Sequence, residues 1–123
     1  MDIIFKRAVL RQKLKRVQGS IVKKTIMLYE DMKREGFQCS LKEGYATWGP
    51  VGCWHLWIED DQGNQYDLGQ ELSKIKVTLT DTVPAGTQIM NDPKVDFSAE
   101  YKEYLEDPKA YFCPLKKKSS SET

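Results

Sequence analysis

Gly52-Cys53-Trp54-His55-Leu56-Trp57-Ile58-Glu59-Asp60-Asp61-Gln62-Gly63-Asn64-Gln65-Tyr66-Asp67-Leu68-Gly69 holds the only histidine of the chain and two of its three tryptophans. From Cys53 to Glu59 alternate residues divide between two faces, with Trp54, Leu56 and Ile58 on one and Cys53, His55, Trp57 and Glu59 on the other. Asp61, Gly63 and Asn64 furnish a turn, because Gly and Asn tolerate the positive φ of tight connections. The stretch therefore reads as a β-hairpin. With Glu59 paired near Gln65, Trp57 faces Asp67 and His55 lies one diagonal step from it. Diagonal neighbours sit about 7–8 Å apart at the backbone, within reach of a side-chain hydrogen bond. A carboxylate held against an imidazole is the orienting half of a nucleophile–His–Asp site. A lone His on a strand also serves as a structural hydrogen-bonder, and Trp57 on the same face either walls a pocket or fills a core.

Upstream, Gln18-Gly19-Ser20 breaks the chain and Ser20 is a natural helix N-cap. Ile21 to Arg34 then has helical periodicity, with Ile21, Thr25, Leu28, Tyr29 and Met32 on one face, and Glu35-Gly36 ends it. Phe37 to Trp48 is extended in character, with Glu43 to Trp48 as the predicted strand, and Gly49-Pro50-Val51-Gly52 reads as a turn. Helix, strand, strand, strand predicts an α+β domain with an N-terminal helix packed on a small antiparallel sheet. Before it, Leu10, Leu14 and Val17 at i, i+4, i+7 predict a short amphipathic helix with those residues inward. The other reading of this basic stretch is an arm for RNA, DNA or an acidic lipid surface. No aromatic residue is interleaved with its Lys and Arg to stack on bases.

Downstream, Ile75 to Thr80 alternates as a half-exposed strand, and Thr82 to Asn91 reads as a loop. A helix is predicted from Phe97 to about Glu106, with Ser98 as cap candidate and Pro108 as its stop. Tyr111 and Phe112 are expected to dock on the core. The tail, residues 116–123, is low-complexity and expected to be disordered, with its lysines solubilising. Residues 1–115 are read as a single domain.

A length of 123 residues, with 40% hydrophobic and 11% aromatic content, is that of a folded globular domain. No apolar run reaches the ~18–20 residues of a membrane span, and the N-terminal stretch has no secretory core. One histidine and three widely spaced cysteines, Cys39, Cys53 and Cys113, argue against a zinc site and a disulfide framework. No cofactor motif is present, and the expected compartment is reducing and cytoplasmic. The net charge of +1 excludes a bulk polycation. Residues 1–16 nevertheless carry six cations against one acid, and residues 92–107 six acids against two cations. The two ends either neutralise one another or mark a basic patch for an anionic partner.

Three pieces in order resemble transglutaminase-like domains of the papain-like superfamily, across about residues 19–70. Glu35-Gly36-Phe37 to Glu43-Gly44-Tyr45 resembles the family's helix exit leading to a Gly-Tyr strand. His55-Leu56-Trp57-Ile58-Glu59 resembles its His-Ala-Trp-Val-Glu strand, and Gln65-Tyr66-Asp67-Leu68-Gly69 the strand whose Asp orients the His. In the family the nucleophilic Cys begins the helix, where N–H groups and the dipole favour a thiolate. Here that place falls at Ile21, beside Gly19 and Ser20, and no cysteine precedes Cys39. The resemblance thus implies a degenerate, non-catalytic domain that binds a protein or peptide in the residual cleft. It alternatively implies an acyl-transfer enzyme or an amide or ester hydrolase, with Ser20 as nucleophile, His55 as base and Asp67 as orienter. Cys53 is the other candidate nucleophile, beside His55 at about 6–7 Å along the strand but with no helix N-terminus to activate it. A third reading is an interaction protein that binds an anionic partner through residues 6–16. Compact proteins of this look occur in large DNA viruses, which would place the chain in host cytoplasm.

Overall fold

The computed structural model describes residues 2–90 and 96–112, which fall into two compact units divided between Asn91 and Asp92. The first is an α+β unit in the order α1 (Asp2–Leu14), α2 (Ile21–Arg34), β1 (Cys39–Trp48), β2 (Val51–Asp60), β3 (Gln65–Tyr66), α3 (Leu68–Ser73), β4 (Thr78–Thr80) and β5 (Gln88–Ile89). The strands form one sheet in the order β3-β2-β1-β4, with β5 parallel to β2 and every other pairing antiparallel. β3 and β5 both pair with β2, β3 at Ile58 and Glu59 and β5 at Val51 and Gly52. The predicted turn at Gly49-Pro50 closes the long β1–β2 hairpin, and Val51 already belongs to β2.

α2 has the predicted limits. Ser20 Oγ accepts from Lys23 N at 3.0 Å, which satisfies one of the unbonded N–H groups of the first turn. Gly36, at φ 85°, takes the left-handed position after the last turn. Leu28 and Met32 are buried with Phe5, Ala8 and Val9 of α1 and with Ile58, Tyr66 and Leu68, so both helices cover one sheet face. A second cluster holds Trp57, Ala46 and Leu79, with Cys53 and Val77 against it. Neighbouring strand residues point to opposite faces, so Trp57 and Ile58 place these two clusters on opposite sides of β2.

The inward face of α1 differs from the expected one. Phe5, Ala8 and Val9 are buried, while Leu10 and Leu14 are exposed. Two arginines bridge α1 to α2 in this rotation. Arg11 donates to Asp31 from Nε and Nη2 and to Glu35 at 2.9 Å, and Arg7 also reaches Glu35 at 2.9 Å. Both Arg11 nitrogens converge on the one Oδ2 of Asp31, a charge-assisted contact that ties α1 to the side of α2 with Leu10 outward. Other expectations were also displaced. β1 begins at Cys39, well before the predicted Glu43, β4 keeps only the last three residues of the predicted strand, and the predicted loop after Thr82 contains β5.

The second unit contains α4 (Phe97–Glu106) and α5 (Pro108–Phe112). Asp96 caps α4, accepting from the N–H groups of Ser98 and Ala99, so the cap lies two residues before the expected Ser98. α4 ends at Glu106 as expected, and Pro108 opens a separate helix, α5, which suits a residue with no N–H to leave unbonded. Tyr111 and Phe112 pack edge-on against Tyr104 within this unit. The expected tail at residues 116–123 and Cys113 lie outside the described residues.

Gly44 is the tightest backbone approach in the sheet. A Cβ there would meet Thr80 O at 2.5 Å and Trp57 Cη2 at 2.7 Å. Gly44→Ala is expected to lower unfolding free energy by about 1–3 kcal/mol, the usual range for overpacking a close-fitted core. Urea unfolding followed by tryptophan fluorescence measures this.

Candidate functional site

The site begins with a strand that ends early. β3 has only two residues, and Asp67, expected on the strand, becomes the N-cap of α3. Asp67 Oδ1 accepts from Gly69 N at 3.1 Å and Oδ2 from Gln70 Nε2 at 3.0 Å. His55 Nε2 lies 2.6 Å from Asp67 Oδ1, with the carboxylate 4% and the imidazole 17% exposed. The expected pairing of Glu59 with Gln65 is present and sets up this diagonal approach. An ionised carboxylate only accepts, so the proton of this bond sits on Nε2. No hydrogen bond reaches Nδ1 among the described residues, and no buried side-chain polar atom there lacks a partner.

Around the dyad the contacts extend along β2. The His55 ring stacks on Trp57 with centroids 6.4 Å apart, and Trp57 Nε1 donates to Glu59 Oε2 at 3.0 Å. Gly69 lies close beneath the imidazole, since a Cβ there would stand 3.2 Å from His55 Cε1. Gln70 completes the frame. Its amide nitrogen holds Asp67, and its Oε1 accepts from Val77 N at 3.2 Å on the segment leading to β4. Neither Gly69 nor Gln70 was singled out in the sequence, where α3 had no clear periodicity to reveal it.

Burial acts to raise the Asp67 carboxyl, but the hydrogen bond and charge of His55, with Gln70 and Gly69, outweigh it and hold it below the ordinary carboxylate range. Asp60 was missed in the same way. Buried at the hairpin end, it accepts from the N–H groups of Gln62 and Asn64, from the Asn64 amide and from the Tyr66 hydroxyl. Burial opposes its ionisation too, and the bonds from Asn64, Gln62 and Tyr66 keep the carboxyl low.

The candidate nucleophiles are placed differently. Ser20 caps α2, and no hydrogen bond joins it to His55 or Asp67. α2 packs in the cluster containing Ile58, on the face opposite the one that His55 shares with Trp57. Cys53 shares the face of His55, yet no hydrogen bond joins the two. Burial pushes its thiol up, and the Asp67 carboxylate adds to that rise. Cys39 is half-buried against the first core cluster, and burial raises its thiol as well.

A cavity of about 240 Å³ lies between α1, α2 and α3, away from the dyad. Val9, Val17 and Leu72 form its apolar part, and Lys13, Arg16 and Lys24 its cationic part. No group of acidic, His or Cys side chains among the described residues is arranged to hold a metal ion, and no helix there is long and apolar enough to cross a membrane. Compared with known proteins, the chain matches no family model, no curated protein and no solved structure.

The depressed Asp67 carboxyl carries a sign. Its stabilising contribution is present above the unfolded-state value of about 3.9 and is lost as pH falls through the lower folded value. Asp67→Asn is expected to cost about 1–3 kcal/mol at pH 7, from a lost charge-assisted bond and a weakened cap. Its stability should also fall less steeply than wild type below about pH 4. Urea midpoints between pH 2.5 and 7 read both effects.

Proposed function

We propose that the first unit is a degenerate transglutaminase-like domain that is non-catalytic and binds a protein or peptide. The observation that carries this reading is an oriented His55–Asp67 pair with no activated nucleophile beside it among the described residues. The Ser20 hydroxyl serves the helix start, and the Cys53 thiol is raised by burial and by the same carboxylate that orients His55. A thiol shifted upward supplies little thiolate at neutral pH, the opposite of what nucleophilic catalysis requires. The Asp67, His55, Trp57 and Glu59 side chains then act as a clamp between β2 and α3, an arrangement that holds a surface in shape. The cavity of α1, α2 and α3, with apolar and cationic walls, is a concave feature that suits a peptide with acidic and apolar side chains.

The Nδ1 of His55, which no hydrogen bond reaches among the described residues, favours a second reading, in which the imidazole is a working base for acyl transfer or for amide or ester hydrolysis. A fluorophosphonate and an iodoacetamide probe, with sites located by mass spectrometry, separate the two in wild type, Ser20→Ala, Cys53→Ala and His55→Ala. Non-catalytic protein gives no label at Ser20, and a Cys53 rate that stays within about twofold when His55 is removed. Labelling of either residue that disappears in folded His55→Ala would establish the enzyme instead.

A further inference from the structure

α1 has apolar residues on two opposed sides, and the core uses one of them. Ile3, Leu10 and Leu14 remain 68%, 55% and 75% exposed. At about 100° per residue these three fall within about 40° of arc, along about 16 Å of helix. With Arg7 between them the positions run at steps of four, three and four, the spacing of a seam that packs against another helix. Arg7 itself is drawn sideways to Glu35. Lys6 and Lys13 flank the stripe on one edge, seven residues apart, and neither forms an ion pair among the described residues. The other edge is Arg11, whose charge is already matched by Asp31 and Glu35.

We propose that the outer face of α1 docks an acidic amphipathic helix of a partner protein, with apolar residues on Ile3, Leu10 and Leu14 and carboxylates against Lys6 and Lys13. The width of the stripe chooses between occupants. A helix that lies on a bilayer presents a broad apolar face, whereas an arc this narrow matches the two-position seam of paired helices. Charge chooses between partners. A second copy of α1 would bring lysines to the same flanks and be repelled, while Glu or Asp seven residues apart would be paired twice. This surface is separate from His55 and Asp67 and shares only Lys13 with the cavity of α1, α2 and α3, so Lys6, Leu10 and Leu14 test it independently of that cavity.

The test uses the full chain and two labelled 21-residue helical peptides, identical in their Leu seam and carrying Glu or Lys at the flanking positions. Fluorescence anisotropy should show the Glu peptide binding at least tenfold more tightly than the Lys peptide. L10S/L14S should weaken the Glu peptide at least tenfold, and K6E/K13E should reverse the preference toward Lys. All four side chains are exposed, so circular dichroism melting of both variants should match wild type, and K6E alone, which leaves the cavity lining intact, should shift the preference in the same direction. Failure to bind the Glu peptide, or equal binding of the two peptides, overturns the proposal. So does adsorption to vesicles containing phosphatidylserine that L10S/L14S abolishes, with no Glu-peptide binding, which would assign the face to a lipid surface. Dimerisation in analytical ultracentrifugation that L10S/L14S abolishes would assign it to a second copy and equally overturn the proposal.

Discussion

The Asp67 carboxylate joins more of the first unit than any other polar group at the site. It ends β3, starts α3, holds the imidazole of His55 and receives the Gln70 amide. Gln70 in turn holds Val77 on the segment that returns to β4. The imidazole stacks on Trp57, and Trp57 fills the space above Gly44 where β1 meets β4. A single buried charge thus sets the position of a helix, a ring and the route of the returning chain. Burial alone would disfavour that charge, and the convergent donors make it stable where it is.

The same arrangement has a chemical consequence. The carboxylate meets the imidazole at Nε2, whereas in a nucleophile–His–Asp site it meets Nδ1 and leaves Nε2 to take the proton. The thiol on that strand face is shifted away from ionisation by burial and by this carboxylate. The hydroxyl at the helix start accepts from Lys23 N on the far side of the sheet. Orientation of the base and activation of a nucleophile are separate problems, and the described residues address only the first.

On the opposite face, the Arg7–Glu35–Arg11–Asp31 network joins α1 to α2 in the observed rotation. Such pairs contribute little stability when partly exposed, so burial of Phe5, Ala8 and Val9 is the larger part of that orientation. α1 offers two apolar faces. Phe5, Ala8 and Val9 fill the space beside Met32 and Tyr66, and the choice leaves Ile3, Leu10 and Leu14 outside.

What the sequence determined by itself is local. The limits of α2, its Ser20 cap and its Gly36 exit, the alternation of β2 and the pairing of Glu59 with Gln65 follow from hydrogen-bonding patterns and side-chain periods repeated within a few residues. From these the α+β order and the approach of His55 to Asp67 were legible. The rest depended on contacts between residues far apart in the chain. A short period cannot tell which of two apolar stripes of α1 turns inward, because the residues that receive it, Leu28, Met32, Ile58 and Tyr66 among them, come from other elements. Nor can it tell that Asp67 leaves its strand to cap α3, or that Ser20 and His55 stand on opposite faces of the sheet. Local periodicity fixes which way a side chain points relative to its own backbone, and only the tertiary structure decides what stands there to meet it.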